Sequence, residues 1–239
     1  MLSVVATPIG NLGDLSARAI EALRDADTVL AEDTRVTRKL LNHVKATAKL
    51  ERFDEHTAFA KTPEIVERVL AGERIALVSD AGTPGISDPG QGLIDAVLQA
   101  EAGLLSVIPG PSAVITALTA SGLPTDTFYF GGFLPRKAKA LREALEAVVS
   151  LEATLVFYES PKRLVKTLEA CAEVLGERDG AVARELTKLY EEVVRAPLSQ
   201  LAEEFGARDS IKGEIVLVIA PAQKAKETRV HIDKYGQAN

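Results

Sequence analysis

Five short apolar runs, each followed by an amphipathic stretch, set the strongest constraint on how the first half of this 239-residue chain can fold. The runs at 3–7, 28–31, 48–53, 75–79 and 104–108 read as strands, with 48–53 the weakest. Segments 16–24, 34–42, 63–71, 92–100 and 112–121 carry apolar residues at helical spacing. Ser16 stands where it caps the first helix, while Pro63 and Gly72 bracket the third as start and stop signals. Such alternation implies a parallel sheet with helices on both faces. Residues 122–125 read as a linker, and the rhythm then changes. Strand 127–130, helix 138–149, strand 153–158 and helix 161–175 are followed by two β-rich stretches, 181–186 and 189–194. These lie close enough to form a tight antiparallel hairpin. Helix 198–205 and strand 214–220 complete a mixed-sheet second unit. The expectation is two α/β domains, 1–121 and 126–220, with a loosely held polar tail at 221–239.

Composition narrows the chemistry chiefly by what is missing. The sequence has no G-x-G-x-x-G after a strand, no P-loop, no H-E-x-x-H, no C-x-x-C and no G-x-S-x-G elbow. His43, His56 and His231 are too scattered for a zinc centre, and Cys171 is alone, so no metal is expected. No apolar run reaches the roughly 18 residues of a membrane span. A reducing, cytoplasmic setting fits best. The net charge of −6 argues mildly against nucleic acid, but the charge is uneven. Arg35, Arg38, Lys39, Lys45, Lys49 and Arg52 form one basic run, and Arg136, Lys137, Lys139 and Arg142 a second. Solvated helix faces are the plain alternative for both.

Four loops follow strand ends in the first unit, where open α/β sheets place their ligands. Residues 6–14 hold a proline and two glycines that permit a tight turn and close backbone approach. In the second loop, Glu32 and Asp33 precede Arg35, Arg38 and Lys39 at a helix start. Asp33 serves there as a cap or as a site residue. The third, 79–90, is rich in glycine and proline and carries Asp80 and Asp88, which can accept from an amine or ribose hydroxyls. In the fourth, Ser112 caps a helix whose N-terminus can hold an anion. The second unit adds weaker signals at Glu159–Arg163, Glu185–Lys188 and Lys212–Glu214.

Taken together, VVATPIGNLGDLSARAIEALRDAD, EDTRVTRKLL, LVSDAGTPGISDPG, PGPSA, FYESPKR, ARELTK and KGEIVLVI, in that order over residues 4–219, resemble the ribosomal RNA small subunit methyltransferase I family of the tetrapyrrole-methylase superfamily. The resemblance implies two α/β domains with S-adenosylmethionine held in the cleft between them, usually in a homodimer. It implies methyl transfer to the ribose 2′-oxygen of a cytidine in the decoding region of 16S rRNA, the 30S subunit being the partner. Carried over by motif, the donor would be held by Pro8, Asp80, Ala81, Gly82, Thr83, Ser87, Asp88, Gly110, Ser112 and Ala113, with Phe133, Glu185, Lys188 and Gly213 from the second domain. Asp33 is the expected base or orienter, and Arg35 and Lys188 are expected to stabilise developing alkoxide or hold phosphate. Arg35, Arg38, Lys39, Arg136, Lys137 and Arg163 are the expected RNA contacts. Methylation of a tetrapyrrole carbon, and a non-catalytic ribosome-binding role, are the alternatives on the same fold.

Overall fold

In the computed structural model, which describes residues 1–222, the apolar runs of the first half become five parallel strands in the order β3-β2-β4-β1-β5. They are β1 Leu2–Val5, β2 Thr28–Ala31, β3 Lys49–Arg52, β4 Ile75–Leu77 and β5 Leu105–Ile108. Pleat alternation divides their side chains between two cores. Val5, Val29, Ala31, Ala76 and Val78 pack on one face against helices α1 Ala17–Asp25 and α2 Thr34–Val44. Leu2, Leu30, Ile75 and Leu77 pack on the other, against α3 Glu55–Leu70 and α4 Gln91–Glu101.

Helix α5, Ala113–Ser121, leaves this lobe and ends at Gly122, whose φ of +69° closes the last turn in the left-handed region. The second lobe is a mixed sheet in the order β6-β7-β10-β8-β9, parallel only between β6 and β7. Its strands are β6 Phe128–Phe133, β7 Thr154–Glu159, β8 Asp179–Arg184, β9 Glu192–Pro197 and β10 Ile215–Ile219. Leu155, Phe157, Val182, Ile215, Leu217 and Ile219 face helices α6 Ala138–Glu146, α7 Leu164–Leu175 and α8 Leu198–Gly206. The opposite face, with Val156, Ala181, Ala183, Val216 and Val218, is covered by Ile9 and α5 through Val114, Ala117 and Leu118. One apolar cluster therefore joins the two lobes.

Three expectations need correction. The third helix starts at Glu55, not Pro63, because Asp54 and Thr57 form a reciprocal capping box there; Pro63 lies inside the helix. The hairpin expected over 181–194 is antiparallel as read but not tight: β8 and β9 are separated by residues 185–191, where Glu185 (φ +52°) and Thr187 (φ +66°) turn the chain and Lys188 N–H donates to the Glu185 carbonyl at 3.0 Å. The helix expected at 161–175 begins only at Leu164. The tail's loose hold concerns 221–239, of which all but Pro221 and Ala222 lie outside the described residues.

Candidate active site between the lobes

The loops after β1 and β4 are tied to each other before they meet any ligand. Thr7 N–H donates to the Gly82 carbonyl at 2.8 Å, and Gly82 N–H returns to Thr7 at 3.1 Å. The Thr7 hydroxyl donates to the Ser79 carbonyl at 3.1 Å. Gly82 (φ +83°) and Ser87 (φ +60°) both sit in the left-handed region, a costly conformation for serine that the surrounding loop enforces.

These loops form one wall of a cleft of about 500 Å³ between the lobes. Asp80, Ala81, Gly82, Thr83, Ser87, Asp88, Ser112 and Ala113 line it from the first lobe, as do Ile9, Glu32 and Ile86. The second lobe contributes Phe133, Tyr158, Ala183, Leu186, Gly213 and Val216. Its walls are mostly apolar, with carboxylates from both lobes, Glu32, Asp80 and Asp88 from the first and Glu159 and Glu214 from the second, the usual constitution of a small-molecule site. A second cavity of about 520 Å³ opens at the C-terminal ends of β2 and β3. Asp33, Thr34, Arg35, Arg52, Asp54, Glu55 and His56 line it. Glu32 and Asp80 belong to both cavities, so the two meet there.

The carboxylates at this junction differ in state. Asp33 caps α2, accepting Arg35 N–H at 2.8 Å, and grips the Arg35 guanidinium at 3.0 and 2.7 Å. Those hydrogen bonds hold its carboxyl well below the usual range. Burial first, then Asp80, Asp54, Glu55 and Asp33, pushes Glu32 up. Burial, followed by Glu32, raises Asp88 to about 6 against a hydrogen bond from Ser79. The expected catalytic residues are thus only partly brought together. Asp33 and Arg35 share the second cavity, whereas Lys188 lines neither, its ammonium standing 2.9 Å from Glu185 and 3.1 Å from Glu214. Burial alone would lower Lys188, but those two partners more than offset it.

Pro8, Gly110 and Glu185, expected at the donor site, are not among the residues that line the cleft. Pro8 precedes the lining residue Ile9, and Gly110 comes so close to Ala6 that a side chain there would meet its Cβ at 3.0 Å. Glu185 accepts Glu214 N–H at 3.0 Å. Arg38, Lys39, Arg136 and Lys137 are exposed, whereas Arg163 turns inward and donates to the Leu134 and Pro135 carbonyls at 3.0 Å each. Sequence reasoning passed over Ile9, Ile86, Tyr158, Leu186 and Val216, apolar residues with no motif chemistry. It placed Glu32 beside Asp33 in the second loop but gave it no role of its own.

A two-lobed fold with a cleft of this kind defines a class. Residues 1–202 match the model of the tetrapyrrole (corrin/porphyrin) methylases, and the chain belongs to that family. Its curated relatives include proteins named ribosomal RNA small subunit methyltransferase I. That of Mesorhizobium japonicum is 46% identical over 98% of the chain and 79% of the relative. That of Escherichia coli O157:H7 is 45% identical over 97% and 81%. The chain is accordingly a methyltransferase. Among solved structures, uroporphyrin-III C-methyltransferase from Thermus thermophilus complexed with S-adenosylhomocysteine superposes with a TM-score of 0.60 at 19% identity, covering 91% of the chain and 96% of that structure. Diphthine synthase superposes at 0.66 and 15%, covering 92% and 89%. Both likenesses concern the fold. Among the described residues no helix is long and apolar enough to cross a membrane, and no cluster of potential metal ligands occurs.

Proposed function

We propose that the chain, acting in the cytoplasm, transfers a methyl group from S-adenosylmethionine to the ribose 2′-oxygen of a cytidine in the decoding region of 16S rRNA. The single observation behind this reading is that two cavities meet at Glu32 and Asp80: an apolar cleft between the lobes and a polar one at the ends of β2 and β3. The cleft fits the donor in chemistry. Ile9, Ile86, Phe133 and Val216 offer apolar surface to an adenine, and the carboxylates among the lining residues suit a cationic ligand. When bound, the donor supplies a methyl group activated on a sulfonium.

The chain's own residues do the rest. Asp80 and Asp88 accept from donor hydroxyls or amine, and Phe133 with Tyr158 excludes water from the cleft. Alignment of the two cavities is worth up to about 7–11 kcal/mol of barrier. Asp33 orients rather than abstracts, since the guanidinium that holds it also weakens it as a base. Arg35, whose side chain is 88% exposed, presents positive charge to phosphate beside the acceptor cavity.

The acceptor cavity also favours RNA over a tetrapyrrole. Five of its nine lining residues are acidic, which repels a macrocycle bearing many carboxylates. A cytosine amino group, by contrast, is a natural donor to Asp or Glu. The family resemblance extends the proposal to a homodimer working on the 30S subunit. Purified protein and labelled S-adenosylmethionine, offered 30S subunits lacking the modification or uroporphyrinogen in parallel, form the test, with ribose methylation mapped along the 16S rRNA. Labelling at a decoding-region cytidine is expected; labelling of uroporphyrinogen alone would reverse the substrate assignment.

A further inference from the structure

The carboxylates at the meeting point of the two cavities are nearly all occupied. Asp33 is held by Arg35. Asp80 accepts Asp33 N–H at 3.1 Å. Asp54 caps α3, accepting from the Thr57 N–H and hydroxyl at 2.9 Å each, and is paired with Arg52 at 2.5 Å. Asp88 lines only the interlobe cleft. Glu32 lines both cavities and makes no hydrogen bond or ion pair among the described residues. It directly follows Ala31, the fully buried last residue of β2, so the sheet fixes its backbone while its half-buried side chain stays available.

We infer that Glu32 is the general base of the methyl transfer, accepting the proton of the acceptor hydroxyl where the acceptor cavity opens into the donor cleft. The inference rests on the proposed rRNA reading. In the step, the ribose oxygen bonds to the methyl carbon as the S–C bond breaks, and that electron pair stays on sulfur as a neutral thioether. The hydroxyl proton passes to the Glu32 carboxylate and then to solvent through the acceptor cavity. A base in this position works best when its proton affinity lies nearer neutrality than an ordinary carboxylate's. Burial and the facing charges of Asp80, Asp54, Glu55 and Asp33 push Glu32 that way. The cations facing the same cavity, Arg35 and Arg52, are held by Asp33 and Asp54, and His56 stands on α3.

The test compares wild type, Glu32→Gln and Glu32→Asp in single turnovers on 30S subunits across pH at saturating S-adenosylmethionine, with calorimetry of S-adenosylmethionine and a carbon-13 titration of Glu32. Activity is expected to rise with pH through a midpoint above the ordinary glutamate value of about 4.3, and the titration should give the same midpoint. Glu32→Gln should lose about 10²–10⁴-fold in rate and the rising limb with it. Donor affinity should fall far less than the rate, since Glu32 is one of several carboxylates lining the cleft, and Glu32→Asp should keep the limb at reduced rate. A Glu32→Gln enzyme of wild-type rate, one that keeps the rising limb, or one that no longer binds donor would overturn the inference and leave the rRNA reading standing. A wild type inactive on 30S subunits would remove both.

Discussion

Asp88 carries a cost that only a ligand relieves. Its carboxyl is raised to about 6, chiefly by burial and then by Glu32, so near neutrality it is ionised in surroundings that disfavour the charge. A raised carboxyl contributes stability that is present below the unfolded value of about 3.9 and lost as pH rises through about 6. Asp88→Asn should therefore melt higher than wild type at pH 7 and show no advantage near pH 4, by scanning calorimetry. Docking a cation beside Asp88 favours the ionised form, so donor binding should release a proton. Affinity for S-adenosylmethionine should weaken as pH falls through about 6 and become flat in Asp88→Asn. A pH-independent affinity in the wild type would remove Asp88 from the donor site. Sequence alone brought Asp80 and Asp88 forward, because acids in a glycine- and proline-rich loop are hard to explain otherwise. It could not rank Glu32 above Asp33: adjacent carboxylates look alike until one is seen gripping Arg35 and the other without a partner among the described residues.

Elements were most legible where periodicity and caps agreed, as in α1, where Ser16 accepts from Ala19 N–H at 3.1 Å as its position predicts. They were least legible where a polar first turn hid a helix: residues 55–62 show little apolar pattern, and Pro63 looked like a beginning. The loop between β8 and β9 escaped for another reason, since its geometry depends on the other lobe. A side-chain carbon at Gly10 would stand 2.4 Å from Lys188 Cγ and 2.8 Å from the buried Thr187 Oγ1. Glycine at position 10 thus lets the β1 loop close onto the 185–191 loop. Gly10→Ala should destabilise by about 1–3 kcal/mol through overpacking and weaken donor binding by displacing the Lys188 side of the cleft. Gly92→Ala, exposed in α4 with nothing near its Cβ position, should instead stabilise by about 0.4–1 kcal/mol. Denaturant titration of both variants with donor calorimetry checks the pair, and a harmless Gly10→Ala would show that the loops can part freely.

At the scale of the molecule, the alternation of strand and helix was enough to infer a parallel first sheet and a mixed second one, but not how the lobes are joined. That join is the apolar seam of Ile9 and α5 against β7, β8 and β10. The same architecture explains how a chain of net charge −6 can approach RNA. Acidic side chains concentrate in the acceptor cavity, while exposed cations stand beyond the walls, Arg38 and Lys39 a turn past Arg35, Arg136 and Lys137 just past Phe133. Phosphates can then be held outside while a neutral ribose and base enter, so affinity for the 30S subunit should carry a salt dependence that catalysis lacks. Each phosphate contact contributes about 0.7 to the slope of log affinity against log salt for a single strand, so replacing all four cations by glutamine should flatten it by about 3. Single-turnover rate at saturating subunit should change little, because none of the four lines either cavity. Filter binding across a salt series, paired with those single turnovers, separates the two quantities. An unchanged slope would make the clusters ordinary solvated faces and require another surface to meet the RNA backbone.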